Sequence, residues 1–388
     1  MTFRNRPSRQ MMIAAALAWL VLSSASQAQT QEISVGVILS TTGPGSAVGI
    51  PTRNALELWP SEIGGRKLKL IVEDDRSDPA AATSIARRMA VDDKVDVLVG
   101  TSLVPGCVAI AAVAQETETV QLTLGPIVLS EKTTWSFNLP PLTSRMSSAL
   151  FEDMTRNKVK TVGYIGFSDV WGDNWFSELK NYAAKSGVQI VAEERFGRGD
   201  TSVAGQALHI LSAKPDVILV GATSSAAGLV QKTLVDLRYS GKIYHTHGAT
   251  TKDFLRIAGS AGEGAIAPTG PTTVVEDLPD SHPSKAVAMK FVKAYEDKFG
   301  AGTRTPFAGH VFDASLVLEN AIPAALAKAQ PGTKEFHAAL KQAIEMIKDL
   351  AATQAVFSYS PADHNGTDDR ARVLVTVKNG SWKLMSGS

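Results

Sequence analysis

Residues 35–46, VGVILSTTGPGS, run from a short β-branched strand into a Gly/Pro turn, and this junction decides the fold. Apolar residues over so short a span, followed by Gly43-Pro44-Gly45, mark a buried strand whose end is held open. Ser40, Thr41, Thr42 and Ser46 are left there with free hydroxyl donors, the make-up of a cleft wall. Open α/β sheets take up ligands at such strand ends.

Outward from this stretch, strands and helices alternate with short connections, the pattern of a parallel sheet covered by helices on both faces. Strands are expected at 33–39, 68–73, 95–99 and 120–124, with helices at about 50–59, 79–91 and 105–116. The second helix is well signalled: Asp78-Pro79 supplies a capping oxygen and a proline whose missing N–H costs nothing at a first helical position. Its Ile85 and Met89, four apart, share one buried face. After NLPPLTS (138–144) the alternation restarts, with strands at 161–167, 188–196, 216–222 and 242–246 and helices at 172–185, 202–213 and 225–239. A strand at 264–271 leads to helices at about 283–299, 306–328 and 334–347, where Pro323 should bend or end the middle one. A segment at 355–361 and a hairpin at 373–385, turning at Asn379-Gly380, close the chain.

Continued through AVGIPTRNALEL (47–58) to LKLIVEDD (68–75), the opening stretch resembles the start of the periplasmic solute-binding proteins of ABC importers, in the branch that serves branched-chain amino acids, amides and aromatic acids. The resemblance spans nearly all of the mature chain. It implies an α/β fold of two doubly wound parallel-sheet lobes joined by a three-segment hinge, with crossings near 138–144, 266–272 and 355–360. One lobe then comprises 29–140 plus 271–354, and the other 141–270 plus 355–388. It also implies a monomer without cofactor, metal or catalysis, which delivers a small ligand to an inner-membrane ABC permease.

The first 28 residues read as an export signal: Arg4, Arg6 and Arg9 with no acid, an apolar run from Met11 to Leu22, and Ser26-Gln27-Ala28 as a cleavage site. The run is about a dozen residues long, whereas a spanning helix needs ~20. Removing 28 residues with three arginines from 388 residues at net charge +1 leaves 360 residues at −2. That balance gives no footprint for nucleic acid or an anionic membrane surface, and the length favours two domains. The single cysteine, Cys107, lies far from the apolar run, so neither an internal disulfide nor a lipid-bearing N-terminal cysteine is available. Retention without an anchor points to a periplasm bounded by an outer membrane.

Two chemical alternatives are weaker. Gly43 to Gly49 imitates a dinucleotide fingerprint, with Asp74 and Asp75 ending the next strand, but Pro44 and Pro51 interrupt the tight turn it requires. His245-x-His247 places two imidazoles on one side of a strand, yet no carboxylate or thiol stands beside them to complete a metal site. Asp363 and His364 are expected to shape a turn.

For a binding cleft, the first-lobe candidates are Thr42, Thr101, Ser102 and Val104, with the N–H groups of Gly106 and Cys107 at a helix start, and Thr123 and Gly125 at the next strand end. From the second lobe come Thr223, Trp171 in the loop DVWGDNW, and His247. The resemblance makes Trp171 the aromatic cover of the ligand, with Trp175 in the core. It places an ammonium-pairing acid where His247 stands, and carboxylate-gripping hydroxyls where Val104 and Pro105 stand. A ligand ammonium would then be buried unpaired, which costs several kcal/mol. A small aromatic or hydrophobic carboxylate, benzoate-like or an aryl keto acid, suits these residues better than an amino acid.

Overall fold

The computed structural model describes residues 32–385, so the export segment expected at 1–28 and its cut after Ala28 lie outside the described residues. Two parallel-dominated mixed sheets organise the chain. The first has the order β2-β3-β1-β4-β5-β6, built from β1 (Ile33–Leu39), β2 (Glu62–Ile63), β3 (Arg66–Asp74), β4 (Val97–Gly100), β5 (Val120–Thr123) and β6 (Ser136–Asn138). β1 pairs in parallel with β3 on one side, Leu39 opposite Asp74, and with β4 on the other, Ile38 opposite Gly100. The strand order therefore reverses direction beside β1, and the crevice opens there.

The second sheet has the order β15-β14-β11-β10-β9-β7-β8. Its parallel part comprises β7 (Thr161–Phe167), β8 (Gln189–Phe196), β9 (Val217–Gly221), β10 (Lys242–His245) and β11 (Ile266–Thr269). The C-terminal hairpin, β14 (Val373–Lys378) and β15 (Ser381–Leu384), is added antiparallel to β11. Asn379 and Gly380 both take positive φ in its turn, and Glu263 accepts their N–H groups at 3.1 and 3.4 Å.

Helices at Lys285–Phe299, Pro306–Leu326 and Lys334–Glu345 follow β11 with no new strand of the second sheet between them. The second and third pack on the first lobe, so the chain returns there before the hairpin. Thr305 caps the helix Pro306–Leu326, accepting from Ala308 N–H at 3.1 Å. Further along it, the buried Asp313 accepts the N–H groups of Thr353 (2.7 Å) and Gln354 (3.0 Å), which pins the turn before the last crossing. Pro323 does not end this helix at once: the helix runs three residues further, to Leu326, without the backbone bond that the missing N–H of Pro323 would make.

Local corrections have simple causes. The first helix spans Ser46–Ala55, starting four residues before the expected position and taking Pro51 into its interior. Gly49 lets it lie against the end of β1: a Cβ there would stand 2.0 Å from the Ser40 carbonyl oxygen. The glycines of the apparent dinucleotide fingerprint thus serve packing. Among the described residues, no helix is long and apolar enough to cross a membrane.

Candidate functional site

Segments that follow β4 and β5 meet segments that follow β7, β8, β9 and β10 across a cleft of about 420 Å³, little of it wider than a water molecule. The first-lobe wall is Ser102, Leu103, Val104, Leu124, Gly125 and Pro126, extended by Val48 and by Pro306, Phe307 and His310 from the start of the helix Pro306–Leu326. Trp171, Arg198, Thr223 and His247 form the opposite wall, and Pro140 lies at a crossing. Among the described residues, no hydrogen bond joins lining side chains of one wall to those of the other.

Trp171 lies in the first turn of a helix, Val170–Ser186, rather than in a loop. Asp169 caps that helix, its Oδ1 accepting from Trp171 N–H at 3.0 Å and Gly172 N–H at 3.3 Å. The turn sits hard on the end of β7, since a Cβ on Gly172 would lie 1.9 Å from the Phe167 carbonyl oxygen. Trp171 is 4 % exposed and its indole nitrogen has no partner. Trp175, one turn on, is fully buried and lies behind it at a centroid distance of 6.4 Å.

The strand expected to carry both histidines ends at His245. Its Nε2 meets Gln231 Oε1 at 2.7 Å, and the ring packs edge-on against Phe254, so it belongs to the core. His247 opens a short 3₁₀ turn and faces the cleft instead, which separates the apparent metal pair. Among the described residues, no group of three or more histidine, cysteine or acidic side chains could hold a metal ion. His247 and His310 approach from opposite lobes; burial pushes both down to about 3, and His247 adds to the effect on His310. Both imidazoles are therefore neutral at physiological pH, and the Nδ1 atom of each is buried without a partner.

Arg198 carries the one charge among the described residues that line the cleft. Its Nε donates to Asp169 Oδ2 at 2.6 Å, and its guanidinium carbon stands 4.1 Å from the centre of the Phe167 ring. Burial lowers its pKa while the Asp169 charge opposes that shift.

Of the residues expected from sequence, Ser102, Val104, Gly125, Trp171, Thr223 and His247 come together here. Thr42, Thr101, Gly106, Cys107 and Thr123 do not line the cleft. Thr42 donates to Asp74 at 2.6 Å on the exposed side of the turn, and Thr101 donates to the buried Asp75. Gly106 packs against the Thr101 side chain, while Thr123 donates to Asn138 at 2.8 Å. The helix starts at Val104 rather than Pro105, so Cys107 N–H is already engaged by Leu103 O at 3.0 Å. The Cys107 thiol donates to Thr101 O, and burial raises its pKa to about 12.

Arg198, His310 and Phe307 escaped sequence reasoning. The signal for Arg198 was the strand pair itself, since it stands two residues beyond β8 as Trp171 stands four beyond β7. Wider grooves exist on the outer surface, one of about 970 Å³ lined by the stacked rings of Phe151 and Tyr182. That groove has a single lobe for its walls, whereas the cleft has two and holds the unpartnered Nδ1 atoms of His247 and His310.

Asp363 and His364 do shape a turn, closed by the Ser360–Asp363 bridge. His364 also stacks on Phe137 at 3.9 Å and reaches Glu345 Oε1 at 3.0 Å, bolting the last crossing to β6.

The chain resembles known proteins over nearly its whole length. A structure of an extracellular ligand-binding receptor from Rhodopseudomonas palustris is 47 % identical, with a TM-score of 0.90, and the match covers 92 % of this chain and 100 % of that one. A solute-binding protein of an ABC transporter from the same species, solved with benzoate, shares the fold at 21 % identity and a TM-score of 0.79, over 92 % of this chain and 96 % of the other. A Leu/Ile/Val-binding protein of Rhizobium johnstonii is 24 % identical over 66 % of this chain and 71 % of its own length. The family model described as periplasmic binding protein matches residues 32–381, and with two lobes closing on a cleft between them the chain belongs to that family of ABC-transporter solute-binding proteins.

Proposed function

We propose that the protein captures a small aromatic or hydrophobic carboxylate, benzoate-like or an aryl keto acid, in the cleft between its lobes. It would hand this ligand to an inner-membrane ABC permease without chemistry of its own. The family implies a small-molecule ligand, a permease partner and a periplasmic address. The observation that carries the ligand class is the charge of the lining: one cation, Arg198, no carboxylate, and two imidazoles held neutral by burial. A ligand carboxylate finds a guanidinium, whose planar fork matches it. A ligand ammonium finds no anion on the lining.

The remaining groups suit an aromatic body. Trp171 and Phe307 offer faces, Val48, Leu103 and Val104 apolar contact, and the two imidazoles a neutral donor or acceptor for a keto or hydroxyl oxygen. The narrow interior admits a ring only when the walls part, so the ligand stabilises the closed form by touching both lobes at once. The lobes are taken as 29–140 plus 271–354 and 141–270 plus 355–388, and the working unit as the monomer.

Relatives named for branched-chain amino acids and for benzoate lie at similarly low identity, so the choice between them rests here on the lining residues. Calorimetry with benzoate, phenylpyruvate, phenylalanine and leucine tests this reading. Binding of an acid that exceeds any amino acid by tenfold or more supports it. Preference for leucine or phenylalanine overturns it.

A further inference from the structure

Asp169 does not line the cleft, yet it touches two of the four second-lobe residues that do, Trp171 and Arg198. The arrangement follows from strand register. β7 and β8 are parallel with Phe167 opposite Phe196, so Asp169 and Arg198 each stand two residues past the last paired position and emerge side by side. The pairing continues one step further through Ser168 N–H to Phe196 O at 2.9 Å.

One oxygen of Asp169 caps the helix that presents Trp171, and the other holds Arg198 by Nε. A guanidinium gripped at Nε and laid on the Phe167 ring keeps its opposite end, Nη1 and Nη2, for a second partner. Among the described residues, neither of those nitrogens forms a hydrogen bond, and Asp169 is the carboxylate within ion-pair reach. The neighbouring Arg195 is engaged by Asp173 at 3.2 Å and Glu193 at 2.7 Å, so it does not compete for Asp169. Both members of the Asp169–Arg198 pair are largely buried, with side chains 23 % and 16 % exposed.

We propose that Asp169 is a positioning residue which fixes the Trp171 face and the Arg198 fork as one unit, and so sets the preference of the cleft for an acid over its neutral analogue. This inference rests on the cleft reading above. A lone arginine on a flexible stem pays side-chain entropy each time it meets a ligand, whereas one already held at Nε and stacked on a ring offers its free end pre-oriented. The ion pair also compensates the buried Arg198 charge from behind the lining.

The test is a ratio. Affinities for benzoate or phenylpyruvate, whichever wild type binds tighter, and for its primary amide are measured by calorimetry on the mature protein and on Asp169→Asn. Asparagine keeps a capping oxygen and removes the charge that holds Arg198. The acid should lose at least tenfold while the amide changes less than threefold, collapsing the acid-to-amide ratio. Asp173→Asn, which touches Arg195 instead, should leave the ratio at its wild-type value. Arg198→Gln should collapse the ratio as well, and adding Asp169→Asn to it should change the ratio no further, which checks the route through Arg198 even where the single variant melts early.

A fall in both ligands by the same factor, or an unchanged ratio, overturns the role of Asp169 alone. A wild type that fails to prefer the acid overturns the cleft reading on which it stands.

Discussion

The rings of Trp171 and His247 lie 4.9 Å apart between centroids and are inclined at 54°, with Trp175 behind both. The indole of the helix Val170–Ser186 and the imidazole that follows β10 therefore form one aromatic wall, although 76 positions separate them in sequence. The Trp171 indole nitrogen and the His247 Nδ1 are both buried without a hydrogen-bond partner, and both rings line the cleft.

Trp171 should report on binding and contribute to it. Ligand should shift the tryptophan fluorescence, and Trp171→Ala should weaken binding by about 1–3 kcal/mol through lost ring contact and lost apolar burial. The fold should persist, because the fully buried Trp175 remains in the core. Unchanged affinity by calorimetry would remove Trp171 from the ligand surface.

Cys107 should be silent in the folded protein. Its thiol is buried, raised to about 12 and bonded to Thr101 O, so the reactive thiolate is scarce. A thiol-specific reagent should label it only as fast as the chain opens, and bound ligand should slow labelling in proportion to the stability it adds, ~2.7 kcal/mol at a hundredfold excess over Kd. Rapid labelling of native protein would place the thiol at an accessible surface.

Acid should destabilise the fold. His245, His247 and His310 sit at about 3 in the folded state, below the ordinary 6.5, so the unfolded chain takes up their protons first as pH falls. Their stabilisation is fully present above pH 6.5 and declines below it. Asp96, at about 6, and Asp313, at about 7, act in the opposite sense, since the folded state protonates them first. Between pH 4 and 6 the three strongly shifted histidines outweigh the two acids by about one proton, a net loss on the order of 1.4 kcal/mol per pH unit. His282, His337 and His364, also lowered by burial, act in the same direction. Thermal melts should show a falling Tm from pH 7 to pH 5; a rising one would mean that the histidines are not buried neutral.

Much of the frame was legible because it is local. The strand Thr161–Phe167 and the helix Pro79–Val91 have the bounds their apolar runs and the Asp78-Pro79 cap announce. The site was half legible for the opposite reason. Thr42 and Thr101 look like free donors in sequence, but Asp74 and Asp75, 32 and 26 positions away, claim their hydroxyls once β1, β3 and β4 pair. His310 and Phe307 follow an evident helix start at Thr305-Pro306, yet nothing local says that this helix end points into the cleft. Arg198 became a cleft residue only through the register of β7 and β8.

Charge at His247 gives the sharpest test of ligand class. Its imidazole, neutral and beside Trp171, can donate to a keto oxygen or a carboxylate. His247→Glu would set a carboxylate near the ligand's own in a space from which water is largely excluded, where like charges repel strongly. Phenylpyruvate should bind at least tenfold more weakly, a loss of about 1.4 kcal/mol or more. Phenylalanine, the amino acid of the same skeleton, should gain, because its ammonium acquires the anion that the natural lining withholds. The gain should stay small, since Val104 and Pro105 still offer no hydroxyl to its carboxylate. Titrating wild type and variant with this pair reads both halves at once. If wild type prefers phenylalanine, or if the variant loses both ligands equally, His247 does not face the charged end of the ligand and the cleft is not one for aromatic acids.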